Sequence, residues 1–134
     1  MEKTGLRLFR ILLEVSDIAS AAAFYSKLLG VPGREIFGGR QYYDCGEVIL
    51  GFVDVSATGR EPRPTPQYLY FAVTNLEEVH SRAAALGCLS SEDVHTASGG
   101  QIGVRPWGER SFYATDPFGN LLCFVDGETL FTGR

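Results

Sequence analysis

Thiol or imidazole chemistry in this chain rests on a short list of side chains: the cysteines Cys45, Cys88 and Cys123 and the histidines His80 and His95. The cysteines are odd in number and show no CxxC spacing. That fits reduced thiols in a cytoplasmic protein better than a disulfide framework or a zinc knot. A cysteine nucleophile needs a neighbouring base that favours its thiolate. His80 falls among polar neighbours on a face that reads as solvated helix. His95 lies in a loop-like stretch, at the surface or at a strand edge. Neither is placed by sequence beside a thiol. Glu109 and Arg110, flanking a strand, read as surface residues. Asp116 and Asn120, in "TDPFGN", are explained by turn chemistry, since Asx side chains bond their own backbone and Gly119 supplies a positive φ.

The elements that must position these groups show as a repeat. "LLEVSDIASAAAFYSKLLG" (12–30) has an echo in "YFAVTNLEEVHSRAAALG" (70–87). Each copy is an apolar strand ending in Val15 or Val73, a polar cap pair, and a helix closed by Leu-Gly. Thr74 and Glu77 have the spacing of a capping box, and Ser16 or Asp17 can cap the first helix. Ile18, Ala21, Ala22, Tyr25, Leu28 and Leu29 recur at the helical period, as do Leu76, Val79, Ala83 and Leu86. One apolar face on each helix predicts a sheet beneath it. Strand-like pieces follow the first helix: "GREIFG", "RQYYDC" and "EVILGFVDV". After the second come "VHTA" or "IGVRP", then "ERSFYATD" and "NLLCFVD". The Pro/Gly/Thr-rich "SATGREPRPTPQ" between the halves reads as a linker. The expectation is one α+β domain of two tandem βαβββ modules: module one over about 5–55, linker about 56–66, module two about 67–127.

The remaining composition narrows the partners. With 45% hydrophobic and 21% charged residues the chain is an ordinary globular one. No run approaches the ~18 apolar residues of a membrane span. Arg7 and Arg10 interrupt the apolar N-terminal stretch and no small-residue cleavage site follows, so neither a signal peptide nor a membrane partner is expected. The net charge of −4, without a basic cluster, argues against nucleic acid.

The tandem pattern, with "FYSKLLG" and "DPFGNLLCF", resembles the vicinal oxygen chelate superfamily: glyoxalase I, extradiol dioxygenases, fosfomycin-resistance transferases and the metal-free bleomycin-resistance binding proteins. The resemblance covers nearly the whole chain. It implies a cup lined by the two modules' sheets, with helices outside, and a homodimer. In metal-dependent members the ligand positions would fall at Arg10, Tyr68, Cys123 and near Leu50 or Gly51. An arginine offers no acceptor, and one thiol with one phenol makes no catalytic site, so no metal cofactor is expected. Cys123 then reads as a buried thiol at a former ligand position.

The family's inward positions, with strand alternation, set a parity. Arg10, Leu12 and Glu14 would point inward, as would Tyr68, Tyr70 and Ala72, and Leu121, Cys123 and Val125. Comparison with the fosfomycin-resistance proteins puts Ser111 and Tyr113 inward and Phe112 in the core. Trp107 would stand at the rim and Phe52 on the floor. Arg10 could pair with Glu14 or bind an anion. The ligand-binding set is therefore Arg10, Phe52, Tyr68, Tyr70, Trp107, Ser111, Tyr113 and Cys123, suited to a small aromatic or peptide-like compound, unless these rings simply fill a core. The resemblance implies a metal-free binding protein. The alternatives are a lyase, isomerase or dioxygenase with a non-standard or absent metal site, which could use Tyr68, Tyr113 or Glu14 for proton transfer, and a regulatory subunit.

Overall fold

A computed structural model of the protein describes residues 5–133. These residues fall into two compact units, one reaching Ser26 and resuming over Gly30–Arg63, the other taking Lys27–Leu29 and everything from Pro64. The architecture is α+β, and each unit carries one four-stranded mixed sheet. No helix among the described residues is long and apolar enough to cross a membrane.

In the first unit, strand β1 (Arg10–Val15) leads into helix α1 (Ile18–Leu29), and β2 (Arg34–Ile36), β3 (Arg40–Cys45) and β4 (Val48–Asp54) complete the sheet. The sheet order is β1-β4-β3-β2, with β1 and β4 parallel and the rest antiparallel. Asp17 caps α1, its carboxylate accepting from the Ala19 and Ser20 amides, which satisfies N–H groups that have no partner within the helix. The sheet's helix side carries Leu13, Val15, Tyr43, Leu50 and Phe52, all buried. The Tyr25 ring of α1 lies 4.1 Å from that of Phe52, and the Tyr43 hydroxyl is 2.8 Å from Ser26 Oγ.

The second unit repeats the plan. Strand β5 (Leu69–Val73) is followed by α2 (Leu76–Ala85), a two-stranded hairpin of β6 (Asp93–Val94) and β7 (Ala97–Ser98), then β8 (Gly103–Val104), β9 (Arg110–Thr115) and β10 (Leu121–Asp126). Its sheet runs β5-β10-β9-β8, again with the first pair parallel. The poorly defined strand before β9 is thus Gly103–Val104, within "IGVRP", while "VHTA" forms the hairpin. The cap of α2 sits one residue later than the sequence suggests. Asn75, not Thr74, accepts from the Glu78 amide, and its own amide nitrogen donates back to Glu78 Oε2 at 3.2 Å.

The turn between β9 and β10 is locked from inside. Asp116 Oδ1 accepts from the Phe118 and Asn120 amides, and Asn120 Nδ2 donates to Asp116 Oδ2. Asn120 Oδ1 in turn accepts from the Thr65 amide. Gly119, at φ +90°, occupies a conformation that a side chain would strain.

Candidate functional site

The two faces of the second sheet differ in chemistry. On the helix side Phe71, Phe124 and Phe112 stack in series, with centroids 5.0 and 5.3 Å apart. The His80 ring meets Phe112 edge-on at 4.9 Å, and its Nε2 lies 2.8 Å from the Gly100 carbonyl oxygen. His80 is therefore half-buried and packs against the core's Phe112 rather than standing fully solvated. Its helix face is the apolar one, a placement that polar sequence neighbours concealed.

The opposite face carries the polar chemistry. Register pairs Tyr70 with Cys123 and Cys123 with Tyr113, so these three form one row across β5, β10 and β9. Ala72, Val125 and Ser111 form the next row. Tyr68 stands edge-on to Tyr113 at 4.8 Å, and with Val94 of β6 it packs against Tyr113, Cys123 and Val125. Tyr113 and Cys123 are 2% and 1% exposed, whereas Tyr70 is 61% exposed. The covering is thus complete over β9 and β10 and open over β5.

A residue absent from the sequence-derived set completes this face. Arg105 is only 4% exposed. Its Nε donates to Ser111 Oγ at 2.9 Å, and its Nη2 donates to the Ser111 carbonyl at 2.7 Å and the Gln101 carbonyl at 3.3 Å. Its Cζ lies 4.9 Å from the Tyr113 ring centroid. Nothing local in "GVRPWG" marks it. The one available signal is an arginine two residues beyond a glycine on a short edge strand.

Burial dominates the electrostatics here. It pushes Tyr113 up to about 12, helped by Cys123 and Tyr70 and opposed by the Arg105 charge. It pushes Cys123 up to about 11 despite hydrogen bonds from Ser111 and Tyr113. Tyr68 and Tyr70 are raised too, again first by desolvation. All four stay protonated at neutral pH.

Trp107 adjoins the hairpin. Its Nε1 donates to Glu109 Oε1 at 2.7 Å, and the His95 ring meets it edge-on at 4.7 Å. His95 and Thr96 form the hairpin turn with φ of 52° and 64°. Glu109 also accepts from the Phe131 amide, and Arg110 bridges Asp126 and Glu77 at 2.9 and 2.6 Å. Both residues therefore hold structure together, where the sequence suggested plain surface.

The structure brings together Tyr68, Tyr70, Ser111, Tyr113 and Cys123, with Trp107 beside the hairpin. Arg10 and Phe52 belong to the first unit. Arg10 is on the exposed face of β1, its Cζ 4.9 Å from the ring centroid of the neighbouring Phe9. The pairing of Arg10 with Glu14 does not form. Glu14 is gripped by both terminal nitrogens of Arg60 at 2.7 Å and by the Arg63 amide at 2.8 Å. The hydrogen bond from Arg60, then that from Arg63, holds the carboxyl down at about 2. Phe52 is a correction as well. It pairs in register with Leu13, is fully buried, and packs on Tyr25. It is core beneath α1 rather than floor. Gly51 is the position on the other face, where an added Cβ would meet the Tyr42 ring at 2.8 Å.

A divalent metal does not fit the positions the resemblance assigns to ligands. Arg10 has no acceptor, Leu50 and Gly51 carry no donor side chain, and the thiol of Cys123 with the phenol of Tyr68 makes only two donors, without an imidazole or carboxylate. Among the described residues no three His, Cys, Asp or Glu side chains gather as a metal cluster.

A helix-backed mixed sheet repeated in tandem, strand-helix-strands twice over, defines the class of protein. The chain belongs to the Glyoxalase/Bleomycin resistance protein/Dioxygenase superfamily, whose family model matches residues 7–124. Solved structures show the same fold. An oxidase named ChaP-H1 is 24% identical with a TM-score of 0.75, over 96% of this chain and 99% of its own. A bleomycin-binding protein complexed with bleomycin is 21% identical with a TM-score of 0.65, over 90% and 98%. A lactoylglutathione lyase from Agrobacterium tumefaciens is 22% identical with a TM-score of 0.64, over 94% and 97%. No curated protein matches the chain.

Proposed function

We propose that the protein is a metal-free binding protein of this superfamily, which sequesters a small aromatic or peptide-like compound at the open, Tyr70 end of the Tyr70–Cys123–Tyr113 row of its second sheet. The observation that carries this reading is the row itself, with Tyr70 open at its β5 end beside the buried Cys123 and Tyr113. The phenols and the thiol of that face are all held above their ordinary values, which suits stacking and burial and gives no base or nucleophile near neutral pH. Glu14, the remaining proton-transfer candidate, is ionised but occupied by Arg60 and Arg63. The bleomycin complex of a relative with this fold supports small-molecule capture. The alternative, a lyase, isomerase or dioxygenase, draws on relatives named as an oxidase and a lactoylglutathione lyase but lacks the donors a metal would need here.

A thermal-shift panel of planar aromatic acids, their amides and glycopeptide antibiotics tests the proposal. Stabilisation by aromatic members, unchanged after exhaustive chelation, supports it. Turnover that depends on added divalent metal would replace it with the enzyme reading. The same proposal includes a homodimer in the cytoplasm, since β1 and β5 are edge strands whose unpaired backbone favours pairing with another copy. Light scattering at twice the 14.6 kDa chain mass is the expected result.

A further inference from the structure

The five N–H donors of Arg105 are unevenly used. Nε and Nη2 are bonded to Ser111 and Gln101, all three bonds going to neutral oxygens. Nη1 makes no hydrogen bond, and Arg105 forms no ion pair among the described residues. Arg105 as a whole keeps 4% of its surface exposed. Gly103 lies beside it and leaves room for a side chain in ordinary van der Waals contact. A Cβ on Gly103 would lie 3.4 Å from Nη1 and 3.8 Å from Cζ. Glu109, whose charge also acts on Cys123 and Tyr70, is committed to Trp107 and Phe131.

A guanidinium this deeply buried is ordinarily paired with a carboxylate, because desolvating a charge is costly without a counter-charge. Here Ser111 fixes its orientation, the Tyr113 ring lies against it, and Nη1 has no bonded partner among the described residues. We infer that Arg105 is the anion receptor of the binding face, and that the ligand is an aromatic acid whose carboxylate meets Nη1 while its ring extends toward Tyr70, the exposed member of the tyrosine row. This rests on the proposed binding of aromatic compounds and names their class. It also places the specificity-determining charge in the second unit, on Arg105 rather than Arg10.

The test is isothermal titration of the whole protein with 2-naphthoate and with its neutral counterpart 2-naphthamide, at low salt. The parent should bind the acid at least tenfold more tightly than the amide. Arg105→Gln should erase that preference. Because Arg105→Gln removes a buried framework and can cost folding, Gly103→Val supplies a second variant. It leaves the guanidinium in place, puts methyl groups against Nη1, and should also bring acid and amide together. Equal binding of acid and amide by the parent would overturn the role of Arg105 while leaving aromatic binding intact. An acid preference that survives in folded Gly103→Val and Arg105→Gln would also overturn it, by placing the anion elsewhere. Binding of neither probe would remove both the aromatic reading and this one.

Discussion

The Arg105 guanidinium carbon lies 4.9 Å from the centroid of the Tyr113 ring while its Nε donates to Ser111 Oγ, two residues before that ring in the same strand. One strand therefore offers the cation both a hydrogen-bond acceptor and a π face. The price of burying Tyr113 to 2% exposure is that its ring supports the face from below, leaving Tyr70 as the ring a ligand can reach.

Tyr70→Ala should accordingly weaken 2-naphthoate binding about tenfold or more, the loss of one stacked ring, while changing stability by less than about 1 kcal/mol. Phe112→Leu should do the reverse. It breaks the stack with Phe124 and the edge contact with His80 and should cost about 1–2 kcal/mol with affinity retained. Titration and urea unfolding of both variants decide it. Loss of binding in Phe112→Leu alone would invert the assignment of the two faces.

Strand alternation made much of this face legible. With Cys123 set inward by the resemblance, Leu121 and Val125 followed by alternation, while Ser111 and Tyr113 inward and Phe112 in the core came from the comparison with the fosfomycin-resistance proteins. Alternation failed on β4, where Ile49, Leu50, Phe52 and Val53 are apolar on both faces and only the register with Leu13 shows which side Phe52 takes. Arg105 was invisible for a different reason. Its partners are backbone carbonyls and a serine brought close by a two-residue strand, and no periodicity marks such contacts. Glu14 was tied in sequence to Arg10, its neighbour on the strand, but a chain turn 46 residues on supplies the arginine it binds.

Thiol labelling should separate the three cysteines. Cys45 is exposed, whereas Cys88 and Cys123 are buried and burial lifts both to about 11. At pH 7.5 one thiol should react with a disulfide reagent quickly and two only on unfolding. Fast reaction of Cys123 in the native state would reopen a nucleophilic role for it.

Glu14 gives the acid limb of stability its shape. Its folded value of about 2 lies below its ordinary 4.5, so its contribution is full above about pH 4.5 and is lost as pH falls toward 2. Glu14→Gln should flatten the fall of the urea midpoint across that window and leave little difference between the two proteins at the acid end. An unchanged slope would show that the pair with Arg60 is solvated away.

The hairpin turn carries two non-glycine residues at positive φ, and Thr96, at 64°, is β-branched. Thr96→Gly should stabilise the protein by about 0.5–1 kcal/mol, the relief of strain exceeding the entropy lost. A fall in melting temperature would mean that the threonine is held there by interactions worth more than the strain.

The central claim is that an aromatic ligand binds this face without a metal. Titration of 2-naphthoate into protein stripped by exhaustive chelation, alongside untreated protein analysed for metal content, addresses it directly. The same affinity is expected in both, with no stoichiometric divalent metal in either. Binding that vanishes on chelation and returns with an added divalent ion would contradict it.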